Sequence, residues 1–98
     1  MLQDLTPASF EAHLGTTFRI HHGGEAPPLE VVLYEVVPHE RHSGPREQPF
    51  SVRFRGPRQP VLPQQIYKIE NGPMGTMDIF LVPIGPDAQG MRYEAVFN

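Results

Sequence analysis

Ninety-eight residues make one domain, residues 1–98, and too few for two; a chain this long buries roughly 65% of the surface it exposes when unfolded, enough for one modest core. The absence of cysteine excludes disulfides, thiolate metal sites and cysteine nucleophiles, and fits a reducing, cytoplasmic compartment. With a net charge of −3, a start (Met1-Leu2-Gln3-Asp4-Leu5) unlike a signal peptide and no apolar run near the ~20 residues of a membrane helix, a soluble protein with no membrane partner is expected.

Twelve prolines and nine glycines fall in clusters between β-rich runs, which is turn punctuation rather than low complexity. One helix is expected. Thr6 is its N-cap, Pro7 its first residue, Phe10 and Leu14 share a face and Gly15 is the stop, giving a lid from about Pro7 to Leu14. Thr16 to His22 alternates, with Phe18 and Ile20 on one face. Gly23-Gly24 and Pro27-Pro28 mark a connection. Leu29 to Val37 is apolar on both faces, which places it centrally in a sheet. A polar loop, His39 to Gln48, leads to Phe50–Arg55, where Phe50, Val52 and Phe54 point inward and Ser51, Arg53 and Arg55 outward. A proline-rich loop, Gly56 to Pro63, precedes Gln65–Glu70, a turn at Asn71-Gly72-Pro73, and Thr76–Ile84, whose segment from Ile79 suits a buried strand. Gly85-Pro86-Asp87 reads as a turn in which Asp87 bonds back to the backbone, and Met91 to Phe97 as a last strand with Tyr93, Ala95 and Phe97 on one face. The fold class is therefore all-β: a small antiparallel six-stranded barrel or sandwich with one short N-terminal helix, the barrel preferred because closure removes sheet edges.

Motifs for chemistry are weak. His39-Glu40-Arg41-His42 has H-x-x-H form and His21-His22 lies one strand earlier, but a loop does not fix the outer histidines on one face and no second ligand motif completes a set of four. Ser9, Ser43 and Ser51 lack a nucleophile-elbow context, and Asp78 has no second carboxylate at local spacing. The glycine pairs lack the strand–turn–helix setting that phosphate binding needs. No enzyme activity, metal or other cofactor is expected. Phe50 and Phe54 point inward and the chain is acidic overall, which argues against a nucleic-acid stacking platform.

Charge distribution says more. Residues Arg41 to Arg58 carry five arginines against Glu47, a net +4, whereas the remainder of the chain carries −7. Arg46, Arg53, Arg55 and Arg58 are the candidate partner-binding residues. A register slip would bury Arg53 and Arg55, so the pleat holds them outward, roughly 7 Å apart, as a docking face for an acidic protein surface. The partner is another protein or a second copy. Replacing Arg53 and Arg55 by glutamate is expected to leave the melting temperature nearly unchanged while weakening partner binding or self-association. A small-molecule-binding barrel is the alternative function.

Several stretches also resemble an uncharacterised bacterial family of short single-domain proteins: Phe10 to Phe18 (F-x-x-x-x-G-x-x-F), Pro49-Phe50-Ser51 with Phe54-Arg55-Gly56-Pro57, Leu62-Pro63-Gln64 before Tyr67, Phe80 to Asp87, and the tail Gly90 to Asn98. The family has no established activity. Its members are similar to proteins encoded beside phage-tail-like collar and fibre proteins, so the resemblance implies a structural or accessory role, docking on or helping assemble a tail-fibre-like protein.

Overall fold

Thr6 opens the chain's helix by accepting the Ser9 N–H on its side chain, while the Ser9 hydroxyl accepts from the Thr6 N–H, a reciprocal capping box. In the computed structural model, which describes residues 5–39 and 49–97, that helix (α1) spans Pro7–Glu11 only. It stops short of Leu14 because Gly15, at φ +82°, donates its N–H to the Leu33 carbonyl at 2.8 Å and turns the chain into the sheet. Leu14 consequently lies 45% exposed, and the helix buries Pro7 and Phe10, of which Phe10 joins the hydrophobic core.

Six antiparallel strands follow: β1 (Thr17–His21), β2 (Leu29–Pro38), β3 (Phe50–Gly56), β4 (Gln65–Asn71), β5 (Gly75–Asp87) and β6 (Gly90–Phe97). They form a closed barrel in the order β1-β2-β3-β6-β5-β4, so it is a barrel and not a sandwich. Closure rests on two pairings distant in sequence, β3 with β6 and β1 with β4. No helix among the described residues is long and apolar enough to cross a membrane.

Alternation fills the interior. Phe18 and Ile20 come from β1, Leu29, Val31 and Leu33 from β2, Phe50, Val52 and Phe54 from β3, Ile79 and Leu81 from β5, and Tyr93, Ala95 and Phe97 from β6. Phe10 packs on Phe18, Phe50 and Phe97 with ring centroids 5.6–6.5 Å apart, so α1 covers the end of the barrel where β3 begins and β6 ends. Leu62, from the proline-rich loop, is buried and donates its N–H to the Tyr93 hydroxyl.

Two β-bulges break the alternation. One lies between Leu33 and Glu35, the other between Pro83 and Gly85. Each inserts an extra residue, Tyr34 or Ile84, and inverts which positions face outward. The apolar character of both faces of Leu29–Val37 therefore reflects a change of phase and not double burial: Val32 faces out before the bulge, and Val36 packs against the core after it. In β5 the inward set is Ile79 and Leu81, so Phe80 faces outward, contrary to the buried strand expected over Ile79–Ile84. Gly85-Pro86-Asp87 belongs to β5, and the turn is Ala88-Gln89. Asp87 does bond back to the backbone, accepting from the Gln89 and Gly90 N–H groups at 2.9 and 3.1 Å.

Candidate functional site

Arg53 and Arg55 project from the outer face of β3, and each meets an acid that a bulge turns outward. Arg53 lies opposite Glu35 on β2 and Glu94 on β6 and bonds both, at 2.8 and 3.0 Å. Arg55 grips Asp87 through Nε and Nη2, the shortest contact 2.6 Å, while its guanidinium lies 4.0 Å from the Tyr34 ring centroid. Without the Tyr34 and Ile84 bulges, Glu35 and Asp87 would fall on inward-facing positions. Arg58 donates to the Asp87 carbonyl at 2.6 Å. The Asp87 carboxyl is held down at about 2, first by Arg55 and then by the backbone N–H groups of its turn. The hydrogen bonds that Arg53 donates to Glu35 and Glu94 raise its pKa, against a smaller opposing effect of burial.

Arg53, Arg55 and Arg58 are thus brought together, but with Glu35, Glu94 and Asp87 among them, so this part of the surface is close to neutral. Arg46 lies outside the described residues, as do Glu40, Arg41 and His42. One expectation changes outright. Glutamates in place of Arg53 and Arg55 would stand against Glu35, Glu94 and Asp87, so that double substitution should lower the melting temperature instead of leaving it nearly unchanged.

Beside this polar lattice runs an apolar row. Ile66 on β4 is the direct cross-strand partner of Phe80 on β5, and the two are 65% and 49% exposed. Val96 on β6, 47% exposed, lies two residues beyond Val82↔Glu94, the pair at which the β5–β6 ladder ends. The next pair along the β4–β5 hairpin is Lys68↔Asp78, whose charged groups are 3.4 Å apart and more than half exposed. On the other side lie Val82 and the Glu35–Arg53–Glu94 rank. An apolar centre with charged flanks is the anatomy of a protein-binding surface.

Three histidine side chains each have a hydrogen-bonding partner. His21 Nε2 sits 2.7 Å from Glu70, His22 Nε2 2.9 Å from the Pro27 carbonyl, and His39 Nε2 2.7 Å from Ser51 Oγ. Among the described residues no three histidine, aspartate or glutamate side chains gather as metal ligands. His39 and Ser51 have the spacing of a base and a nucleophile. Ser51, however, is 2% exposed and lies in a strand paired on both sides, to Val37 and Val96, so neighbouring backbone N–H groups serve the sheet and not an oxyanion. The contact covers a buried hydroxyl where β3 begins.

The family described as a domain of unknown function, DUF6916, matches residues 5–97. The chain belongs to that family. No curated protein and no solved structure matches it. For this DUF6916 domain the match encloses all six strands and the helix, so the barrel and the family unit coincide.

Reasoning from the sequence missed Ile66, Phe80 and Val96. Each is an apolar residue in a strand, and strand alternation alone could have flagged two of them: Phe80 alternates with Ile79 and Leu81, and Val96 with Ala95 and Phe97. An open groove lined by Glu30, Val32, Arg55, Gly56, Pro57 and Gln89 lies at the other end of β3.

Proposed function

We propose that this DUF6916 protein is a non-enzymatic interaction domain that docks on, or helps assemble, a larger protein complex, a tail-fibre-like protein being the kind of partner its resemblance implies. The observation that carries the reading is the exposed cross-strand pair Ile66–Phe80, with Val96 exposed on the next strand, on the outside of a barrel whose interior is lined by buried side chains. Scattered surface apolar residues need no explanation, but three on adjacent strands, flanked by charge pairs, favour a partner. The arginine rank becomes the rim of that surface, oriented by Glu35 and Glu94 and able to share its donors with an acidic neighbour.

For the alternative, a small-molecule-binding barrel, the described residues offer an open groove beside Arg55, while Phe10, Phe18, Phe50, Phe54, Phe97 and Tyr93 are buried in the interior. A capture experiment from native lysate tests the proposal, with wild-type and Phe80→Lys chains as parallel baits and mass spectrometry as the readout. A protein retained by the wild type and lost with Phe80→Lys is expected. Equal retention by both baits would remove the apolar row from the interaction.

A further inference from the structure

We infer that the outer face of the β4–β5 hairpin is a homodimer interface, on which two copies of this chain meet about a two-fold axis running along the hairpin between its strands. The inference rests on the reading of the apolar row as a docking surface and names its occupant. A two-fold interface uses the same patch on both chains, so every residue must find its complement within that patch. Cross-strand partners in a hairpin lie at one height on opposite sides of its midline. An axis along the midline therefore lays each strand over its hairpin partner from the other copy.

Applied to the observed register, that operation sets Ile66 over Phe80 of the second copy and Lys68 over its Asp78. Apolar meets apolar and cation meets anion, twice each. An axis across the strands would instead place Asp78 over Val82 and lose the charge match. Lys68 and Asp78 are 61% and 67% exposed at the side chain and only loosely paired within the chain at 3.4 Å, so both have capacity for a second contact. The axis also keeps the two hairpins nearly aligned, the usual arrangement for sheets packed face to face. Arg19 and His21 both pair with Glu70 beyond the charged row. A convex barrel presents few strands at once, so the contact belongs with small interfaces and a dissociation constant on the order of micromolar.

The test uses the purified full chain and charge inversion. Wild type is expected to sediment as a monomer–dimer equilibrium, weakened by salt. Lys68→Asp and Asp78→Lys should each keep the wild-type circular dichroism and melt cooperatively, yet associate at least about tenfold more weakly, because each sets like charges against each other twice. Mixed in equal amounts, the two variants should form a one-to-one heterodimer, since each then meets its opposite at both contacts. A wild-type chain that stays monomeric to roughly 0.5 mM, some hundreds of times the expected constant, overturns the proposal. So do single variants that dimerise like wild type, or a mixture that fails to associate. The lysate experiment is read independently: a monomeric chain that still loses its partner on Phe80→Lys removes only the second copy as occupant.

Discussion

Phe10 shows how much a single residue carries when the helix holding it is only five residues long. Its ring is fully buried among Phe18, Phe50 and Phe97, and no neighbouring helical side chain can take its place. Phe10→Ala should cost about 3–5 kcal/mol in denaturant unfolding; a loss below about 0.5 kcal/mol, typical of surface sites, would mean that the helix is not docked. Arg53 makes a different kind of contribution, because its partners are fixed by register and partly exposed to water. Arg53→Glu should destabilise by about 1 kcal/mol, roughly 4–8 °C in melting temperature, whereas an unchanged midpoint would show that the pairs are idle. Asp87 adds a pH signature. Its folded pKa of about 2 lies below the unfolded value near 3.8, so its stabilisation is complete above about 4 and is lost as pH falls toward 2. Asp87→Asn keeps an acceptor for the turn but loses the charge facing Arg55. Its melting temperature should lie below wild type at pH 6, and the gap should close by pH 2; a constant gap would assign the effect to the turn instead.

Among the elements, β6 has the most to lose. It is paired along its length to β3 and over its first half to β5, and it supplies Tyr93, Ala95 and Phe97 to the interior. Deleting Tyr93 to Asn98 should abolish cooperative unfolding, because the barrel loses a wall and opens two edges. A truncated chain with an intact thermal transition would contradict this. The inward faces of β1, β3 and β6 were legible because each keeps one phase of alternation throughout. The outward partners of β3 were not, since nothing in Leu29–Val37 or Thr76–Asp87 announces where a bulge falls. Tyr34 and Ile84 look like ordinary strand residues; the barrel's curvature and closure make them bulges. Leu14 was misjudged for a related reason. Its spacing from Phe10 is helical, but the bond from Gly15 to Leu33 ends the helix, and that bond needs β2 in place.

At the scale of the molecule, closure joins β1 to β4 and β3 to β6 across long stretches of chain, which must meet before they stabilise anything. Refolding followed by stopped-flow tyrosine fluorescence should accordingly take about milliseconds to seconds; microsecond folding would be inconsistent with this topology. The same closure explains the division between what residue order determined and what it did not. Alternating side chains, turn residues and the Thr6 cap settled by themselves that this is an all-β chain with one short helix, and which side chains of β1, β3 and β6 lie inside. Those signals act within a few residues of one another, so they are readable in order along the chain. The strand order, the two changes of phase, the acids that meet Arg53 and Arg55, and the exposed pairing of Ile66 with Phe80 arise between strands and not within one. Only the closed barrel decided them, because a neighbour across a ladder is set by register, and register is a property of the whole sheet.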